Sequence, residues 1–177
     1  VSLRDIELED LPQTGQYSIV IEGQIGATGE AAFDADLIKV SDIAEPLVIG
    51  TPISETLSPG QMALYSFTLG SDARLLFDSL SQSFGMSWSL TGPRGPEVSS
   101  RSFTSSDSAD ASFNTLLALP PGDYTLTVDG TGDTSGQFSF NLLDLALPGQ
   151  SISYGEVVSG TLDPAVETRV FTFSGNA

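Results

Sequence analysis

Apolar and polar residues alternate in short runs along most of the chain, and the period is that of a β-strand with one buried face. In 63–69, Tyr65, Phe67 and Leu69 share a face, with Leu64 out of phase. Tyr124, Leu126 and Val128 form a second such set, and Phe138, Phe140 and Leu142 a third. Residues 75–80 and 86–90 supply two more strands, the latter with Met86, Trp88 and Leu90 in phase. That phase assigns Trp88 to the core rather than to a ligand-stacking surface. Turn residues separate the runs at 58–60, 92–96, 120–123 and 130–136, where glycine and proline set the backbone angles. No stretch of useful length shows a 3.6-residue period. The pattern predicts an all-β, antiparallel, jelly-roll-like β-sandwich without helices. The serine-rich stretch 99–112, which includes Asp107 and Asp110, reads as an exposed connection or a weak edge strand.

The pattern also repeats over a long interval. Leu11 to Gly23 resembles Leu119 to Gly130, with Tyr17/Tyr124, Gly23/Gly130, Gly29/Gly136 and Phe33/Phe140 each 107 positions apart. A second block recurs at nearly the same interval: Thr56 and Thr161 lie 105 apart, and Phe67 and Phe173 lie 106 apart. The interval is domain-sized, too long for one turn of a solenoid. The order of the blocks predicts tandem domains: residues 1–40 end one repeat, 41–149 form a complete sandwich, and 150–177 begin the next. A half-sandwich exposes strand edges and apolar faces, which favours pairing with other strands. Either further repeats of a longer polypeptide complete the two halves, or the halves of neighbouring copies complete each other and build an open filament. The second route lacks counterparts of residues 75–112, a shortage that favours the longer polypeptide.

The sandwich motifs carry a family resemblance. Residues 56–60 (Thr-Leu-Ser-Pro-Gly), 65–67 (Tyr-Ser-Phe), 90–95 (Leu-Thr-Gly-Pro-Arg-Gly) and 119–130 resemble the bacterial pre-peptidase C-terminal domain. The resemblance implies a jelly-roll-like module of secreted bacterial proteins, found in tandem, as an accessory beside proteases or within large surface proteins. Many members carry aspartates in the strand before the Gly-Pro-x-Gly turn. Here that strand, 86–90, has none.

Composition removes several chemistries. The 177 residues include no His and no Cys, so serine–histidine and cysteine–histidine catalysis, histidine-held zinc and disulfides are all excluded. Paired carboxylates remain, yet they fall in turns and at strand ends, away from any apolar pocket that would raise a pKa. The expectation is therefore a non-enzymatic protein. The net charge of −17 opposes binding to nucleic acid, and no apolar run approaches the length of a membrane span. Richness in Ser, Thr, Gly and Asp, with a single lysine, Lys39, points to a secreted or cell-surface protein.

One cofactor hypothesis has residues behind it. Asp123, Asp129 and Asp133, with the hydroxyls and glycines of 130–136, offer oxygen ligands of the kind Ca²⁺ takes. The corresponding loop, 22–29, keeps its glycines and lacks the second acid, which favours a plain turn. The expected function is a structural or adhesive repeat whose partners are neighbouring repeats or copies of the same protein. The alternative is a carbohydrate- or matrix-protein-binding accessory module of a secreted hydrolase.

Overall fold

The computed structural model describes residues 14–23, 25–30, 32–35, 37, 39–106, 115–146, 149–162 and 168–175. The chain divides into two units, Val1–Lys39 and Val40–Ala177.

Among the described residues of the second unit, nine strands form two sheets. They are β1 (Ile43–Pro46), β2 (Ile53–Leu57), β3 (Ala63–Leu69), β4 (Ala73–Ser79), β5 (Met86–Gly92), β6 (Gly95–Ser102), β7 (Leu116–Leu119), β8 (Gly122–Gly130) and β9 (Gly136–Asp144). One sheet has the order β1-β3-β8-β5-β6 and the other β2-β9-β4-β7. Their inner faces meet in one core, so the predicted all-β sandwich is the observed architecture. The pairing is antiparallel except at the edge, where β1 runs parallel to β3. Two further short strands, β10 (Gln150–Ser151) and β11 (Phe171–Thr172), also pair in parallel.

Alternation along the strands explains the core. Tyr65, Phe67 and Leu69 of β3, Met86, Trp88 and Leu90 of β5, and Tyr124, Leu126 and Val128 of β8 all point inward from the first sheet. Phe77 of β4 and Phe138, Phe140 and Leu142 of β9 meet them from the second. The sheets are joined by aromatic contacts: Phe77 stacks on Trp88 at 4.1 Å and on Phe140 at 4.9 Å, and Tyr65 meets Phe140 edge-on at 5.5 Å. The indole Nε1–H of Trp88 donates to Ser106 Oγ at 2.7 Å, so its polar atom is satisfied within the core. Trp88 is therefore a core residue, as its phase predicted.

Chain 99–102, read as a connection or weak edge strand, is the end of edge strand β6. Between the pairs Trp88↔Arg101 and Leu90↔Val98, β5 advances two residues and β6 three, a β-bulge that includes Ser100 at φ +39°. The bulge disturbs strict alternation, which is why β6 is faint in the sequence. Beyond it, the Arg101 guanidinium lies over the Trp88 ring at 5.1 Å. Asp107 and Asp110 lie outside the described residues.

In the first unit, the stretch 17–23 matches β8 in sequence yet belongs to no strand. β8 is held by β3 on one edge and β5 on the other. A strand exists through its ladder partners; among the described residues 17–23 enters no ladder, and its apolar side chains are exposed. Ile19 is 60% exposed, while its counterpart Leu126 is fully buried.

Replacing Trp88 with alanine removes the stacking partner of Phe77 from a fully buried site. The expected loss is about 3–5 kcal/mol, read as a lower urea midpoint at unchanged slope.

Candidate functional site

The three carboxylates proposed from the sequence do not come together. Asp123 and Asp129 stand at opposite ends of β8, six residues apart on an extended strand, or about 20 Å. Asp123 Oδ1 accepts the Thr68 hydroxyl at 2.6 Å, which ties β8 to β3. Asp129 is near the end of β8 and Asp133 lies within the β8–β9 turn, where Thr134 N–H donates to Thr131 O at 3.3 Å and the Thr134 hydroxyl to the same oxygen at 2.7 Å. Gly132 adopts φ +58° and Gly136 φ +138°, so the glycines serve backbone geometry. Among the described residues no group of three or more acids is placed to hold a metal ion.

Lost hydration raises the Asp129 carboxyl above its ordinary range, opposed by the Gly130 backbone hydrogen bond and reinforced by the charge of Asp42. Native Asp129 thus binds its proton more tightly than the unfolded chain does. Its negative charge weakens the fold at neutral pH and ceases to do so on acidification. Asp129→Asn is expected to raise the melting temperature at pH 7, by an amount that shrinks as pH falls through the carboxylate range. Given the separation of the carboxylates, the wild-type protein is expected to melt at the same temperature in millimolar calcium and in chelator.

The segment expected to begin a further repeat has described residues 149–162 and 168–175, where the structure shows strand pairing that the sequence did not detail. There the chain repeats several hydrogen bonds of the first edge of the sandwich. In the sandwich, Leu47 N–H donates to Ser66 O at 2.8 Å, and Thr51 N–H to Val48 O at 3.0 Å. At 149–175, Ile152 N–H donates to Thr172 O at 2.9 Å, and Glu156 N–H to Ser153 O at 3.1 Å. The turn glycines agree as well, with φ +82° at Gly50 and +83° at Gly155. The ladder pairs Glu45↔Tyr65 and Pro46↔Ser66 correspond to Gln150↔Phe171 and Ser151↔Thr172. The signal was present in the spacing of Thr56/Thr161, but neither β1 nor β10 has the apolar alternation that marks a strand.

What differs is the cover. Tyr65 and Phe67 are core residues, while their counterparts Phe171 and Phe173 are 39% and 64% exposed. Leu162, the counterpart of buried Leu57, is half-exposed. Phe173 has Tyr154 against its edge at 5.8 Å and no facing sheet among the described residues. This segment is anchored to the preceding sandwich: the Thr168 hydroxyl donates to Asp78 Oδ1 at 2.7 Å, and Asp78 is buried. The sequence pattern alone gives no reason to connect Thr168 with Asp78.

Among solved structures, the pre-peptidase C-terminal domain of a collagenase from Bacillus anthracis is similar at 17% identity and a TM-score of 0.43, over 58% of this chain and 96% of that one. A periplasmic inhibitor of g-type lysozyme from Salmonella Typhimurium is similar at 14% identity and a TM-score of 0.45, over 58% and 98%. The corresponding inhibitor from Aeromonas hydrophila is similar at 10% identity and a TM-score of 0.43, over 60% and 99%. No family model matches the chain, and no curated protein matches it. No helix among the described residues is long and apolar enough to cross a membrane.

Proposed function

We propose that this chain is a non-catalytic structural stretch of a secreted or cell-surface protein built from tandem β-sandwich repeats, with one sandwich and parts of its two neighbours. The observation that carries the reading is the recurrence of the β1 edge and its turn at 150–156, in the same hydrogen bonds and with the same positive-φ glycine. The outer sheet face favours a spacer over a carbohydrate-binding module. Ser66, Thr68, Ser87, Ser89, Thr125 and Thr127 alternate with the core residues along β3, β5 and β8, and none of them is aromatic. Stacking on sugars needs exposed rings on such a face. Phe84, the most exposed phenylalanine among the described residues, stands in the loop between β4 and β5. An acidic, lysine-poor surface keeps closely spaced β modules apart by mutual repulsion and suits an extracellular setting.

Peptide mapping of the intact polypeptide from its natural source tests the reading. Further copies of the pattern at 119–130, spaced by about one sandwich length, are the expected result. Flanking sequence without that pattern would overturn it.

A further inference from the structure

We propose that Tyr17–Ile21 of one copy of this chain pairs as an antiparallel strand against the edge of β11 opposite β10 in a second copy, in a register set by the sandwich itself. The proposal rests on the repeat reading above and goes beyond it by naming the surface, its occupant and the pairing.

The topology of the sandwich makes the two partial repeats complementary. β3 neighbours β8 in one sheet, and β2 neighbours β9 in the other. The first three strands and the last two therefore form a contiguous half, β1-β3-β8 over β2-β9. The other half, β5-β6 over β4-β7, comes from the middle of the sequence. Residues 149–175 correspond to the β1, β2 and β3 part of that first half, and residues 17–35 to its β8 and β9 part. The missing counterparts of 75–112 belong mainly to the other half, so a sandwich of three strands over two remains connected in both sheets without them.

Register follows by transfer. In the sandwich, Tyr65 pairs with Leu126, Ser66 with Thr125 and Phe67 with Tyr124. The repeat spacing converts these to Phe171 with Ile19, Thr172 with Ser18 and Phe173 with Tyr17. In the second sheet, Ile53↔Phe140 converts to Val158 with Phe33. The inward positions at 171, 173, 17, 19, 21, 33 and 158 are occupied by apolar or aromatic residues, while Arg169, the counterpart of buried Ala63, stands opposite Ile21 at the end of the pairing. Phe171, Phe173, Ile19, Ile21 and Phe33 are all exposed to a degree that their counterparts in the sandwich are not. β10 already occupies one edge of β11, as β1 occupies one edge of β3, and the opposite edge is where β8 lies in the sandwich. Strand addition there supplies ladder hydrogen bonds and buries both aromatic rings. Because donor and acceptor surfaces differ, the contact is heterologous and can extend from copy to copy.

The absence of cysteine allows a clean cross-linking test. Directly opposed residues of an antiparallel pair have Cα atoms about 4.5–5.5 Å apart, within disulfide range. Full-length Ser18→Cys and Thr172→Cys chains, mixed and oxidised, are expected to give a disulfide-linked heterodimer. Ser151 sits opposite Thr172 on the far side of β11, so Ser18→Cys with Ser151→Cys places the thiols two strand spacings apart, about 10 Å. That control pair is expected to cross-link at least tenfold less. Equal yields from the two pairs, or no heterodimer from the first, overturn the proposal. So does a Ser18→Cys/Thr172→Cys double variant that closes within one chain. The cross-link reports only on the pairing, so its failure leaves the peptide map of the natural polypeptide as an independent test of the repeats.

Discussion

β8 holds the first sheet together because it has a partner on both edges and a second sheet beneath it. Phe67 stacks on Tyr124 at 5.1 Å across the β3–β8 ladder, and the Tyr124 hydroxyl donates to Pro120 O at 2.7 Å, fixing the approach to the strand. On the other side, Gly92 of β5 leaves space that the Tyr124 ring occupies, where any Cβ would overlap it. Two-sided pairing and close packing thus depend on the same tyrosine. At 17–23, where the same sequence pattern enters neither sheet among the described residues, apolar side chains are exposed. The ladder, more than the intrinsic preference of the residues, decides whether this pattern is a strand.

The second sheet is completed partly by side chains. After β4 ends, Leu80 N–H donates to Ser139 O at 2.9 Å, the Ser81 hydroxyl accepts from Ser139 N–H at 2.8 Å, and the Ser83 hydroxyl donates to Gln137 O at 2.9 Å. The chain leaving β4 therefore continues along β9 on serine hydroxyls instead of a backbone ladder. Buried backbone groups are satisfied there without lengthening the strand.

Strands with undisturbed alternation were legible in the sequence: β3, β4, β5, β8 and β9 lie where the apolar period places them. β1, β2 and β7 were not, because they are short, and the inward positions of β1 and β2 are only partly buried except at Leu57. β6 was blurred by its bulge. Among the proposed calcium ligands, closeness in sequence misled. Asp123 and Asp129 look like neighbours along the written chain, but an extended strand holds them at opposite ends. The spacing of glycine and aromatic positions was readable in the sequence. The exposure of the residues at 17–23 and 171–173 was not, since burial depends on what lies opposite.

The hydrogen bond from Thr168 to Asp78 joins residues 90 positions apart and crosses the point where the sequence suggests a border between modules. A buried carboxylate of the sandwich takes a donor from the segment that follows it. The border suggested by the sequence period is thus one that the chain's hydrogen bonds do not keep. Cutting the chain at residue 149 would strip Asp78 of this donor, so the smallest piece that keeps the sandwich's own bonds ends beyond Thr168.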